Sequence, residues 1–115
     1  FMDPIEMSDL KCEKCDDIYL LRDSLKGLFL AASQFPKNRE TRAPLVSEIK
    51  SVLSKLPEKH QIFANAPELD PDGDHLVVRF NRKDGSHILS AEAKGKKKKL
   101  FFIYESSDWK EMQRD

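Results

Sequence analysis

The sequence predicts an α+β fold that is mainly antiparallel β, with two small sheets and one amphipathic helix between them. Short apolar runs separated by glycine-containing turns indicate hairpins in both halves of the 115-residue chain. Between the halves, apolar residues recur at spacings of three and four over residues 45–56, which is typical of a helix. A chain of this length fits one small domain or two very small subdomains.

The first half of the chain contains a hairpin signature. Apolar runs at residues 18–22 and 28–32 flank a polar stretch that ends in Gly27. Residues 1–11, by contrast, show no clear periodicity, and we interpret them as a linker or a remnant without a structural role. The first subdomain therefore takes in residues 12–57, including the helix.

The second half carries three apolar runs separated by turn residues. The three runs lie at residues 75–80, 87–90 and 100–104. Three antiparallel strands are the simplest interpretation, and Trp109 could open a short fourth strand or cap the edge of the sheet. A proline-containing connection over residues 58–74 separates this second subdomain, residues 75–115, from the first.

Charge is balanced overall but segregated along the chain. Twenty Lys and Arg against 20 Asp and Glu give a formal net charge of zero, which taken alone argues against nucleic-acid binding. Residues 18–42, however, hold five basic and two acidic side chains, and residues 76–104 hold eight and two. Segregated charge can present a local basic surface that attracts phosphates over a Debye length of about 8 Å.

Two classes of protein are disfavoured by the sequence. No apolar run approaches the roughly 20 residues that span a bilayer, and the N-terminus lacks the pattern of a signal peptide. We therefore expect a cytoplasmic protein without a membrane partner. No nucleophile motif, glycine-rich phosphate loop or paired carboxylate is evident, so we expect no catalytic activity from this chain.

The two cysteines, Cys12 and Cys15, form an isolated Cys-x-x-Cys pair. Zinc needs four ligands, and only His60, His75 and His87 could complete the set, although none of them has a paired spacing. A redox couple would be expected at a helix start in a βαβ context, which is absent here. We interpret the pair as an evolutionary remnant, with metal binding and redox chemistry as the alternatives.

The two basic segments interleave cations with aromatic residues, which is what single-stranded nucleic acid requires for its phosphates and unpaired bases. The predicted contact residues of the first half are Arg22, Phe29, Phe35, Lys37, Arg39 and Arg42. Those of the second half are Arg79, Phe80, Arg82, Phe102, Tyr104 and Trp109. Strand register decides which aromatic side chains face outward, and a core position is the competing interpretation for each. Residues 96–99, all lysine, either contact phosphate or keep a turn solvated.

The order of these features resembles the zinc ribbons that end many bacterial type IA DNA topoisomerases. Cys12 to Cys15 matches the first knuckle of that repeat, and residues 20–22 and 27–38 match the rest in order and spacing. Ala32 and Asn38 stand where the second cysteine pair would be, so this repeat cannot complete a four-thiolate site. The stretch around Phe35 to Leu45, followed by the helix, is similar to the zinc-free C-terminal domain of the enteric-type enzymes.

The resemblance covers about residues 11–111 and implies a zinc-ribbon-like fold that needs no metal or other cofactor. It implies a module that binds single-stranded DNA within a nucleoid-associated enzyme that relaxes negatively supercoiled DNA. That enzyme would use magnesium but no ATP, and its catalytic tyrosine would lie in the rest of the topoisomerase chain. The alternative is a protein-interaction module that docks the enzyme to a partner such as RNA polymerase.

Overall fold

A computed structural model describes residues 2–12, 16–24, 27–35 and 37–114. It contains two antiparallel four-stranded sheets with a short helical segment between them, which confirms the predicted fold class. None of the helices in these ranges is long and apolar enough to cross a membrane.

The first sheet is built from four strands that lie side by side in chain order. These are β1 (Ile5–Lys11), β2 (Ile18–Ser24), β3 (Gly27–Ala32) and β4 (Thr41–Arg42). Because side chains alternate across a strand, Tyr19 and Leu21 of β2 are buried on the inner face, whereas Leu20 and Arg22 lie on the outer face.

The interpretation of residues 1–11 as a linker was wrong for residues 5–11. These residues form β1, in which Ile5 pairs with Leu21 and Met7 pairs with Tyr19. Met7 is 6% exposed and belongs to the core. Glu6, Asp9 and Lys11 interrupt the apolar pattern of this strand in the sequence, and an edge strand tolerates such exposed charged side chains.

The helical segment begins where the periodicity predicts but is α-helical over a shorter range. The α-helix α1 spans Val46–Ser51, and 3-10 helices follow at Leu53–Lys55 and Glu58–Asn65. Val46 and Ile49, on the inner side of α1, are fully buried. The backbone N–H of Leu45, which precedes the helix, donates to the Glu48 carboxylate at 2.8 Å. Glu48 also accepts two hydrogen bonds from Arg42 at 2.9 and 2.8 Å.

The second sheet also has four strands in chain order. These are β5 (Val77–Phe80), β6 (His87–Ala93), β7 (Lys96–Glu105) and β8 (Asp108–Gln113). Trp109 lies in β8, so the suggested fourth strand is formed. Val78 and Leu89 pair directly and are buried, which places them on the inner face of this sheet.

The two sheets bury their inner faces in one hydrophobic core, which the connection between them helps to build. Phe63 of the second 3-10 helix is fully buried. Its ring stacks on Trp109 with 5.6 Å between centroids, and it meets His87 edge-on at 5.1 Å. The indole N–H of Trp109 donates to the Ile62 carbonyl at 2.8 Å. The segment over residues 58–65 is therefore not only a connection, because it contributes the Phe63 side chain to the core.

Backbone hydrogen bonds also join the two halves. The N–H of Val46 donates to the Leu76 carbonyl at 3.0 Å, and the N–H of Val78 donates to the Pro44 carbonyl at 2.8 Å. These bonds hold β5 beside the segment that leads from β4 into α1. The position of the second sheet relative to the first is thus fixed in part by main-chain hydrogen bonds.

A buried polar cluster lies where β2, β6 and the second 3-10 helix meet. Oδ2 of Asp23 lies 3.1 Å from Nε2 of His60 and 2.7 Å from Nζ of Lys59. Burial raises the pKa of Asp23, but the hydrogen bonds from Lys59 and His60 outweigh it and lower that pKa below 3.8. Gly27 has a left-handed φ of +96°, and a Cβ there would lie 2.8 Å from Nε2 of His87. The halves approach too closely for a side chain at this position.

His87 is the group in this cluster whose charge opposes folding. Burial lowers the pKa of His87 to about 4, and the neighbouring His60 adds to this effect. In the described part of the chain, Nε2 of His87 has no hydrogen-bond partner. The neutral imidazole is therefore the form that the folded core accepts.

We expect the free energy of unfolding to fall as the pH drops from about 6.5 to about 4. In this pH window the unfolded chain binds a proton at His87 and the folded chain does not. The resulting loss in the free energy of unfolding is about 3 kcal/mol at the acidic end. Urea denaturation at a series of pH values measures this loss. His87→Gln should flatten the dependence, whereas the exposed His75→Gln should leave it unchanged; equal slopes for all three proteins would contradict the assignment.

Candidate nucleic-acid interface

The outer face of the first sheet brings three predicted contact residues together. Arg22 and Phe29 are direct partners in the β2–β3 register and therefore share this face. Phe35, in the turn after β3, meets Phe29 edge-on with 6.2 Å between ring centroids. The guanidinium carbon of Arg22 lies 5.4 Å from the centroid of the Phe35 ring. All three side chains are partly exposed.

This cation–aromatic cluster of Arg22, Phe29 and Phe35 is chemically suited to unpaired bases. Within the described ranges, Arg22 makes no ion pair, so its charge is not neutralised by a neighbouring carboxylate. The exposed Lys37 and Arg39 follow Phe35 closely in the chain and add two further positive charges. A base stacked on an aromatic face would place its phosphate near these cations.

Arg42 lies on the opposite face of the first sheet from this cluster. It pairs with Leu30, whose side chain lies on the inner face. There its guanidinium forms the two hydrogen bonds to Glu48 and lies 5.1 Å from the centroid of the Tyr19 ring. Burial raises the pKa of Glu48, but the hydrogen bonds from Arg42 and from the Leu45 N–H outweigh it and lower that pKa. Arg42 thus tethers β4 to α1.

Phe80 and Arg82, at and just after the end of β5, face the first sheet across a groove. The groove has a volume of about 300 Å³ and is also lined by Phe29, Arg79 and Lys97. The β5 strand can reach β3 because the backbone bonds from Val46 and Val78 hold the two sheets together at this point. The structure therefore brings predicted contact residues of both halves to one groove.

Three other predicted aromatic residues lie on the core side of the second sheet. Phe102 pairs with Leu89, and Tyr104 pairs with Trp109, so the three aromatic side chains share the inner face. Phe102 and Tyr104 are partly buried against the core, and Trp109 is only 8% exposed. With its indole N–H bonded to Ile62 and one face against Phe63, Trp109 has little ring surface left for a base.

Two residues that sequence reasoning did not select lie on the outer face of the second sheet. Phe101 is partly exposed there, and the guanidinium carbon of Arg114 lies 4.9 Å from its ring centroid. Arg79 lies on the same face and forms an ion pair with Glu92 at 2.7 Å. Neighbouring residues in a strand face opposite sides, so either Phe101 or Phe102 must point outward. The register with β6 decides between them, and the local sequence does not reveal that register.

The lysine run of β7 has two structural settings. Lys96, Lys97 and Lys99 are exposed, whereas Lys98 is part-buried. The ammonium group of Lys98 lies 2.8 Å from Asp70 and 3.0 Å from Asp72, and it also contacts Asp74. The hydrogen bonds that Lys98 donates to these carboxylates, first of all to Asp70, raise the pKa of Lys98. Lys98 therefore stabilises the loop over residues 70–74, and its neighbours remain available to a ligand.

The region of the Cys-x-x-Cys pair is held by hydrogen bonds in the described residues. Cys12 is buried and disulfide-bonded, and Cys15 lies outside the described residues. Ala32 is fully buried in β3, and Asn38 donates from Nδ2 to Asp17 at 2.9 Å. Within the described ranges, no group of three or more His, Cys, Asp and Glu side chains is arranged to hold a metal. The Asn38–Asp17 bond connects the two segments that metal ligands would join in a zinc ribbon.

Sequence comparison with known proteins relates this chain to bacterial topoisomerases. A family model for the topoisomerase I zinc-ribbon-like domain matches residues 6–42, which span β1 to β4. The chain is 52% identical over 109 residues to DNA topoisomerase 1 of Pseudomonas aeruginosa, covering 95% of this chain and 13% of that protein. It is 47% identical over 107 residues to the Vibrio cholerae DNA topoisomerase 1, covering 93% and 12%. The Escherichia coli DNA topoisomerase 1 is 45% identical over 109 residues, with 95% and 13% covered.

The chain carries the topoisomerase I zinc-ribbon-like domain over residues 6–42. It spans about one eighth of the length of the curated relatives that it matches. The expectation that this chain corresponds to one part of a larger enzyme is therefore confirmed.

We expect this zinc-ribbon-like domain to keep its fold without zinc. Chelation by EDTA followed by elemental analysis should leave less than one zinc per chain, with an unchanged thermal midpoint. Tightly held stoichiometric zinc, lost together with the folded state, would contradict this expectation.

The Asn38→Ala variant should lower the free energy of unfolding by about 1 kcal/mol, because it removes the hydrogen bond that joins the two segments. Urea denaturation measures this difference, and the exposed Gln34→Ala serves as the control. Equal effects of the two variants would contradict the assigned role of Asn38.

Proposed function

We propose that this chain grips single-stranded DNA as a non-catalytic domain of a DNA topoisomerase. The observation that carries the proposal is the cation–aromatic cluster of Arg22, Phe29 and Phe35 on the outer face of the first sheet. Exposed aromatic faces stack on unpaired bases, with each stack contributing about 1 to 3 kcal/mol. Unpaired cations beside them attract the backbone phosphates.

The shape of the interface favours single strands over duplex DNA. In a duplex the bases stack on each other, so the faces that Phe29 and Phe35 would contact are already covered. Neither ring is part of an element that projects from the sheet, as a helix would for reading the major groove. A strand with exposed bases can lie along the sheet surface instead.

The role within the whole enzyme follows from tethering. The relatives are named DNA topoisomerase 1, and we propose that the full-length protein relaxes negatively supercoiled DNA with magnesium, through a catalytic tyrosine outside this chain. A second site on the same polypeptide raises the effective concentration of DNA at the first. The domain would thereby hold a strand near the site of cleavage without taking part in the chemistry.

A protein-docking role is the second candidate, and one observation favours it. The outer face of the second sheet carries Phe101 and Ile103 partly exposed and Met112 at 42% exposure. An exposed apolar face of this kind can bind a protein partner such as RNA polymerase. Binding to RNA polymerase that survives mutation of the cation–aromatic cluster would favour this role.

The proposed grip can be tested by titrating a fluorescent single-stranded oligonucleotide and its matching duplex. We expect salt-sensitive binding that prefers the single strand. Arg22→Gln should lower the slope of log affinity against log salt by about 0.7, because one phosphate contact is lost. Phe35→Leu should weaken binding by about 1 to 3 kcal/mol with the slope unchanged, because stacking is lost and charge is not.

Trp109→Phe provides the matched aromatic control, because its ring lies in the core and away from the cluster. Circular dichroism and thermal melts verify that each variant remains folded. Equal effects of Phe35→Leu and Trp109→Phe on binding would contradict the assignment of the cluster. Absence of single-strand binding at low salt would overturn the proposed function and leave protein docking as the better candidate.

A further inference from the structure

The groove between the sheets leads from the cation–aromatic cluster to a second set of cations. Phe29 belongs to the cluster and also lines the groove, opposite Phe80 and Arg82. The groove is lined by aromatic and cationic side chains from both halves, which are the two types of group that a single strand needs. A strand leaving Phe29 would therefore meet Phe80 next.

Beyond Phe80 lies a cationic pocket of about 260 Å³ on the second sheet. Phe80, Arg82 and Lys97 line both the groove and this pocket, so the two are continuous. Four positive side chains converge on the pocket, together with the amide side chain of Asn81. They are Arg79, Arg82, Lys97 and Arg114.

The charge of this cationic pocket is largely uncompensated. Arg79 is paired with Glu92. Within the described residues, the other three cations make no ion pair, although the guanidinium of Arg114 rests on the Phe101 ring. Like charges that face a common space repel one another, and a bound anion removes that repulsion. The pocket is therefore built for an anionic group, and a phosphodiester has the right charge and acceptor oxygens.

We propose that the two halves form one continuous tract, in which a single strand leaves the cation–aromatic cluster, crosses the groove and places a backbone phosphate in the cationic pocket. This inference rests on the proposed function and adds a defined path to it. The path is fixed because the bonds from Val46 and Val78 lock β5 beside the first sheet. A single DNA strand would contact both sheets at once, whereas without the tract each sheet would bind a DNA strand of its own.

The tract predicts a specific dependence on strand length. The complete chain is titrated with oligothymidylates of about 4 and about 16 nucleotides, the range typical of one single-strand-binding module. The double variant Arg82→Gln/Lys97→Gln removes two charges from the pocket. The double variant Lys55→Gln/Lys110→Gln removes two exposed charges that line neither the groove nor the pocket.

We expect the pocket variant to bind the long oligonucleotide about tenfold more weakly at low salt, with its salt slope lowered by about 1.4 for two lost phosphate contacts. Its affinity for the short oligonucleotide, held at the cluster, should change little. The control variant should retain most of the wild-type slope. Thermal melts of both double variants establish that the comparison concerns folded proteins.

The outcomes separate this inference from the proposed function. Equal losses for the pocket and control variants, with wild-type single-strand binding intact, would overturn the continuous tract and leave the grip at the cluster standing. Equal losses of the short and long oligonucleotides in the pocket variant would also overturn it. A wild-type chain that binds neither oligonucleotide would overturn the proposed function and the tract together.

Discussion

Burial of both sheets against one core is the constraint on which the rest of the structure depends. Neither four-stranded sheet is large enough to enclose its own apolar face, so each relies on the other and on Phe63 between them. Phe63 can fill this space only because Trp109 and His87 supply matching ring surfaces from the second sheet. The close approach at Gly27 and the neutral state of His87 follow from the same packing.

The sequence predicted those parts of the fold that depend on local pattern. The hairpin of β2 and β3, the strands of the second sheet and the start of α1 all agree with apolar periodicity and turn residues. The strand β1 was not predicted, because its pairing with β2 is what orders a segment of mixed polarity. The burial of Phe63 was equally hidden, since a proline-flanked segment gains its core position only from the two sheets together.

The sequence could predict which types of residue form the site, but not which of their side chains share one surface. Arg22, Phe29 and Phe35 meet as expected because two of them share one hairpin and the third follows it closely. The sequence did not show that Trp109 faces the core and Phe101 faces outward. Which side chains of a strand face outward depends on its register with the neighbouring strands, and that register is set by long-range pairing. The groove between Phe29 and Phe80 depends on tertiary contacts between the halves, which no short pattern in the sequence encodes.

The most direct test of the central claim is to map, by the chemical shifts of backbone amides and the Trp109 indole, where single-stranded DNA binds. If the strand lies on the outer face and in the groove, the amides of Arg22, Phe29, Phe35 and Phe80 should shift most. The buried indole N–H of Trp109, bonded to Ile62, should shift little. The largest changes on α1 or at the Trp109 indole, with little change at Phe35, would contradict the account.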